Sequence, residues 1–198
     1  MPRPESATIS PVGLTRFCSG TPSAWHAGPT VSVSLPPVLT PVLATLAYVL
    51  SPDGSDVLLL HRNKRPDDIH YGKHVGLGGR VERDEDVVAG VRREIMEESG
   101  LIAEDVVLRG TILWPGFGKN GQDWFGFVFR VDRFSGEPHG GNDEGTLTWV
   151  PIADLAAVPM WASDHEWLPM VFDADPRQFH GVMPYHDGEM VGWSCQRL

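Results

Sequence analysis

Residues 79–101 read GRVERDEDVVAGVRREIMEESGL, and this stretch decides the fold. Gly78-Gly79 interrupts the apolar run His74–Leu77, and Gly100 is the residue type on which helices commonly stop. Between them Val88, Val91 and Ile95 recur at helical spacing, which predicts a helix over 84–99. Glu94, Glu97 and Glu98 stand at i, i+3 and i+4, so their carboxylates share one helix face. The three apolar residues are expected on the opposing stripe, pinning the helix to a sheet. Like charges at such spacings cost about 0.2–0.5 kcal/mol per pair. A divalent cation reverses that penalty, and Mg²⁺ prefers hard oxygen ligands of this kind. Glu-rich helix faces are commonly just solvated. Here the Gly-Gly entry, the spaced Glu85 and the terminal Gly-Leu fall into place together. Glu85 can reach Arg93 over two turns only with help from the loop, and that pair would fix the helix start. The Gly78-Gly79 break brings backbone close enough for the Gly78 carbonyl to face the same metal.

Working outward, the chain changes texture at both ends. Residues 1–38 are rich in Pro, Ser, Thr and Gly and show no period, which predicts a flexible or loosely docked extension. The domain is expected over 39–198. Pro41–Leu50, the turn Ser51-Pro52-Asp53-Gly54 and Val57–His61 read as a hairpin. A polar loop with several basic residues covers 62–73, and His74–Leu77 is a short strand. Strands are expected near 105–113, 123–131 and 146–150, a second helix over 163–173, and closing strands near 178–184 and 189–195. This order predicts an α/β fold with a mixed β-sheet sandwiched between helices, α/β/α.

Composition restricts the function classes. Apolar residues make up 41 % of 198 positions and charged residues 21 %, as in a globular protein with a core. The net charge of −10 speaks against a nucleic-acid partner, which would require a basic face. It is compatible with a phosphate-bearing substrate held through metal ions. Cys18 and Cys195 are far apart and are not expected to pair, which suits a reducing compartment. There is no apolar run of about 18 residues and no leader pattern. The expectation is a cytoplasmic protein with no membrane association, a monomer or homodimer. The eight histidines form no HExxH, so a zinc peptidase is disfavoured.

Gly79, Glu85, Arg93, Glu94, Ile95, Glu97, Glu98, Gly100 and Leu101 fill every fixed position of the pattern GX5EX7REUXEEXGU, where U is aliphatic. The chain thereby resembles the Nudix hydrolases, MutT type. The resemblance implies a pyrophosphohydrolase in which metal-activated water attacks a phosphorus of a diphosphate linkage. It implies that Glu94, Glu97 and Glu98, with the Gly78 carbonyl, hold Mg²⁺, for which Mn²⁺ can stand in. Arg93 orients a carboxylate. A further acidic residue from a later loop ligates metal or acts as base. Glu144 is at the matching place, with Asp143 as the fallback, and the general base is left open between these carboxylates.

Beyond the box, Met160–Pro169 and Phe179-His180-Gly181 resemble the C-terminal part of the mammalian oxidised-purine nucleoside triphosphatases. The resemblance implies that Trp161 stacks on a purine, that Asp164 hydrogen-bonds its edge, and that Trp114 belongs to the base pocket. Core packing is the other reading of Trp161 and the favoured one for Trp167. Arg62, Lys64 and Lys73 are candidates for phosphate contacts or for plain surface solvation. Two departures stand out. Ser163 replaces the first Asp of an acidic pair, and Val75 replaces an Asn that contacts the base. A site built on polar contacts discriminates through them, so weaker selectivity for an 8-oxo base is expected. The substrate expectation is thus a purine nucleoside triphosphate, ordinary or oxidised such as 8-oxo-dGTP, cleaved to monophosphate and pyrophosphate. ADP-ribose or another nucleoside diphosphate derivative is the alternative, on the strength of Pro115 about fifteen residues past the box. A non-catalytic nucleotide-sensing module is the alternative of another class, disfavoured because all box glutamates are present.

Overall fold

The computed structural model describes residues 39–198. Expectations for the extension before residue 39, including Cys18, lie outside the described residues. Cys195 is an exposed free thiol.

The strands are β1 (Val42–Leu50), β2 (Asp56–His61), β3 (His74–Val75), β4 (Ile102–Trp114), β5 (Trp124–Ser135), β6 (Thr146–Pro151), β7 (Phe179–Val182), β8 (Tyr185–His186), β9 (Glu189–Met190) and β10 (Ser194–Arg197). The α-helices are α1 (Val87–Ser99), α2 (Asp164–Trp167) and α3 (Pro169–Phe172), with 3₁₀ turns at Lys119–Gly121 and Ile152–Ala157. One mixed sheet runs β10-β7-β4-β5-β1-β2-β3, with β6 also paired to β2. β1 lies parallel to β5 and β4 parallel to β7, while β1–β2, β2–β6, β4–β5 and β10–β7 are antiparallel. The expected first hairpin is present, closed by the Gly54 amide on the Ser51 carbonyl at 2.8 Å. Only Val49↔Leu58 and Leu50↔Val57 pair within it, because β1 spends most of its length on β5.

Period-two alternation divides β2 between two cores. Val57 and Leu59 point to one face, where Tyr48, Ile112, Val128, Trp167, Val171 and Phe179 pack. Leu58 and Leu60 point to the other, where Val91, Ile95, Leu101, Phe129 and Val131 pack. α1 covers the second face, and α2 and α3 the first. This is the helix–sheet–helix layering expected from the sequence.

Three expectations are corrected. The second helix is two short ones, because Pro169 opens α3 and offers no amide to continue α2. The closing strands are shorter, and an additional small hairpin, β8–β9, lies between β7 and β10. Val88 is exposed, and the buried residues of α1 are Gly90, Val91, Ile95, Glu98 and Ser99. The carboxylates therefore do not oppose the apolar stripe. Glu94 and Glu98 flank Val91 and Ile95 at the seam between helix and sheet, and Glu98 is only 9 % exposed. Burying Val91 and Ile95 stabilises the fold by roughly 1.5–3 kcal/mol each, enough to hold such a seam in place.

Candidate active site

Local chemistry fixes where α1 begins and ends. Asp86 caps it, accepting from the amides of Val88 and Ala89 at 2.8 and 3.0 Å. Gly100 ends it with φ 78°, its amide bonded to the Met96 carbonyl. Arg93 leaves the helix and grips Glu85 with two bonds, Nη2–Oε1 at 2.7 Å and Nε–Oε2 at 3.0 Å. Its other nitrogen donates to Glu94 at 2.9 Å and Glu97 at 3.2 Å, while Nη2 also reaches the Arg80 carbonyl at 3.1 Å. One guanidinium thus ties the loop before the helix to two box carboxylates, and Arg93 holds the Glu85 carboxyl below its usual range.

The glycine pair supplies the other wall. Gly78 has φ 151°, and a side chain there would collide with the Thr45 carbonyl. Its amide donates to Glu98 Oε2 at 2.8 Å. A Cβ on Gly79 would lie 2.6 Å from the Glu94 Cδ, so the missing side chain is the space Glu94 occupies. Burial pushes the Glu98 carboxyl up to about 8, with the charges of Glu94 and Glu144 adding to it. Burial likewise raises Glu94, against the pull of Arg93.

Glu144 comes from the loop before β6. Asn142 Oδ1 accepts from the amides of Glu144 and Gly145 at 2.8 and 3.1 Å, a turn that aims the next side chain inward. The Glu144 carboxylate is ion-paired with Arg62 and with Arg65, the latter at 2.7 Å, and Arg65 also pairs with exposed Asp143. Glu94, Glu97, Glu98, Asp143, Glu144, Gly78 and Arg62 all line one cleft. Among the described residues, no group of three His, Cys, Asp or Glu side chains is gathered tightly enough to hold a metal as it stands. Arg93 takes Glu97, and Arg62 and Arg65 take Glu144. The donor set is still what a hard divalent cation requires. It consists of carboxylate oxygens around one cleft, two of them at a buried seam where added positive charge would offset the burial of negative charge.

A second concavity of about 430 Å³ opens beside the cleft and shares Arg62, His70, Gly78, Gly79, Arg80, Glu98 and Trp124 with it. Its inner wall is aromatic: Tyr48, Trp114, Phe117, Trp161, Trp167 and Tyr185. Trp114 meets Trp167 edge-on at 6.5 Å, and Phe117 meets Trp161 and Tyr185 at 5.8 and 5.0 Å. Asp164 lines the same space. Burial pushes its carboxyl up to about 7, against the opposing influence of the Trp167 indole and the Lys73 ammonium. Buried Arg109 ties down α3 and the turn after it by donating to the carbonyls of Met170, Asp173 and Asp175.

The structure thus brings Trp161, Asp164 and Trp114 to one cavity, and Gly78, Glu94, Glu97, Glu98, Glu144 and Arg62 to the adjoining cleft. Lys73 lines neither. Its Nζ sits 4.4 Å over the Trp161 ring, a cation–π contact. Lys64 is exposed, donating to the Asn142 carbonyl. Ser163 is buried and bonds the Tyr185 hydroxyl at 2.7 Å, so its small size makes room for a tyrosine at the cavity wall. Trp167 is 1 % exposed and belongs to the core. Sequence reasoning missed His70, Phe117, Trp124 and Tyr185. The first two are loop residues with no period to betray them. Trp124 faces the site from the start of a strand.

The NUDIX domain family model matches residues 40–171. The chain belongs to the Nudix hydrolases. Within them it is a MutT-type pyrophosphohydrolase, similar to the oxidized purine nucleoside triphosphate hydrolase of Danio rerio (30 % identical over 154 residues, covering 78 % of this chain and 93 % of the relative). The mouse enzyme of the same description is 27 % identical over 149 residues, covering 75 % and 90 %. The crystal structure of a MutT protein from Bacillus halodurans superposes with a TM-score of 0.67 at 26 % identity, covering 78 % of this chain and 97 % of that one.

Proposed function

We propose that the protein hydrolyses a purine nucleoside triphosphate to the monophosphate and pyrophosphate, with Mg²⁺ as cofactor. The observation that carries this reading is the continuity of the two concavities. Glu98, Gly78 and Arg62 line both the aromatic cavity and the carboxylate cleft, so a base in one leaves its phosphates in the other.

Glu94, Glu97, Glu98, Glu144 and the Gly78 carbonyl are the groups that would hold the metal. When bound, the ion polarises the phosphoryl oxygens and lowers the pKa of the attacking water. The residues themselves do the rest. Arg93 keeps Glu94 and Glu97 in place from behind. Glu98 or Glu144 takes the proton of the water as its oxygen bonds to phosphorus and the bridging P–O bond breaks. Arg62, once drawn from Glu144 by a phosphate, becomes a charge-assisted donor to it. Trp161 and Trp114 stack on the base, and Asp164 meets its edge. The loss of acidic and amide base contacts at Ser163 and Val75 supports modest rather than stringent selectivity for an oxidised base.

The catalytic unit is residues 39–198, and residues 1–38 are an extension whose removal leaves turnover intact. The negative net charge argues against a nucleic-acid partner, and the exposed thiol of Cys195 suits a cytoplasmic enzyme; a monomer or homodimer belongs to the same proposal. No helix among the described residues is long and apolar enough to cross a membrane.

The test is product analysis with dGTP and Mg²⁺. Equimolar dGMP and pyrophosphate, abolished by a chelator and restored by Mg²⁺ or Mn²⁺, is the expected result. Release of dGDP and phosphate, or no turnover of any purine triphosphate, overturns the reading.

A further inference from the structure

The residue that most clearly exceeds the pattern of the box is His70. Its Nδ1 lies 2.9 Å from Trp161 Nε1. An indole nitrogen can only donate, so Nδ1 must be the acceptor and the imidazole proton must sit on Nε2. Nε2 has no hydrogen-bond partner among the described residues, and His70 lines both the aromatic cavity and the cleft. The ring is held on several sides. Trp161 meets it edge-on at 5.8 Å and 90°, and Phe117 lies tilted at 6.2 Å. Its backbone amide donates to Asp68 Oδ1 at 3.0 Å, and Asp68 is itself fixed by Arg62 Nε at 2.9 Å. A ring so fixed, with one nitrogen already engaged, presents a single oriented donor.

We propose that His70 is a specificity-determining residue whose Nε2–H donates to the acceptor edge of a purine, selecting 6-oxopurine nucleotides over 6-aminopurine ones. The inference rests on the reading that the aromatic cavity takes the base. A guanine-type base offers two acceptors, O6 and N7, side by side, whereas adenine places a donor amino group beside N7. A donor facing the amino group would leave two donors opposed and unsatisfied, which costs about 1–3 kcal/mol, or roughly 5- to 150-fold in affinity. Burial lowers the His70 pKa, so at neutral pH the ring is uncharged and keeps this one-donor, one-acceptor form. Trp161 acts through His70 as a positioning residue, in addition to its own contact with the base. The donor arises from a loop residue, at a site where Val75 brings no polar group.

The experiment is equilibrium binding of dGMP and dAMP by calorimetry, with kcat/KM for dGTP and dATP, on wild type, His70→Phe, His70→Gln and Trp161→Phe. Wild type should favour dGMP by about 10-fold. His70→Phe keeps an aromatic ring but no donor, and the ratio should fall toward one. His70→Gln returns an amide donor near the Nε2 position and should recover most of the preference. Trp161→Phe keeps the ring face but frees the tautomer, and should lose part of it. An equal loss for both nucleotides marks a merely structural residue and overturns the proposal. So does an unchanged ratio in His70→Phe or, if that variant does not fold, in Trp161→Phe. Selective dGMP binding without hydrolysis of dGTP would instead refute the proposed function and leave His70 as a base reader.

Discussion

The Glu98 carboxylate accepts the backbone amide of Gly78 at 2.8 Å, a contact that joins the buried end of the box helix to the turn twenty residues before it. Two functions meet there, because the same carboxylate is a proposed metal ligand. Glu98→Gln keeps an oxygen to accept that bond and stays neutral where the buried carboxyl, pushed up to about 8, would ionise at higher pH. It should therefore melt at or above the wild-type temperature while kcat falls on the order of 10³-fold. Gly78→Ala does the opposite. It puts a side chain at φ 151° against the Thr45 carbonyl, and should cost about 3 kcal/mol or more, roughly 6–12 °C of Tm for a domain of this size. Differential scanning calorimetry alongside turnover separates the two. A Glu98→Gln protein of normal activity would misassign the site.

Arg93 offers a second handle. It bonds Glu85 through two nitrogens and two box carboxylates through the third. Lysine keeps the charge but has no fork. Arg93→Lys should lose about 1–3 kcal/mol of stability and lower kcat more than it raises KM, since Glu94 and Glu97 would no longer be held in register. Retention of full stability and full kcat would show that charge alone suffices.

Much of this was legible in residues 79–101, because a helix imposes a 3.6-residue period and the box fixes nine positions upon it. Two things were not. Residue spacing alone put Glu94 and Glu98 on an outer face, but the Gly78-Gly79 turn lies so close that their carboxylates are drawn into the seam. The pairing of β1 with β5 is parallel and joins segments about eighty residues apart, so no local pattern announces it. For the same reason Trp161, Asp164 and Trp114 could be placed in one cavity only through family resemblance, and loop residues His70 and Phe117 carried no signal at all. Charge alone leaves Lys73 open between a phosphate contact and plain solvation, and its place 4.4 Å over the Trp161 ring has no signal in the sequence. Pro169 was visible in the sequence and should have split the second helix.

Asp164 predicts a pH dependence. Its carboxyl is raised from 3.8 to about 7 in the folded protein. The native state therefore binds a proton that the unfolded chain releases between those values. Stability from this group is complete below about pH 4 and is lost as pH rises through about 7. Asp164→Asn stays neutral throughout. The stability of wild type minus that of Asp164→Asn should decline steadily from pH 4 to pH 7.5 in urea titrations. A flat difference would mean that the carboxyl titrates normally and the cavity is wetter than its lining indicates.

The central claim is that the aromatic cavity and the carboxylate cleft form one site for a purine triphosphate, with the base against Trp161. The most direct measurement is kcat/KM for dGTP, 8-oxo-dGTP, dATP and ADP-ribose at saturating Mg²⁺, on wild type and Trp161→Ala. Stacking on an aromatic is worth roughly 1–3 kcal/mol, so Trp161→Ala should raise KM for the purine triphosphates about 5- to 150-fold with a smaller change in kcat. Wild type should cleave triphosphates faster than ADP-ribose, with only a modest advantage for the 8-oxo base. A wild type that prefers ADP-ribose, or a Trp161→Ala variant that lowers kcat/KM equally for all four through kcat, would contradict the account.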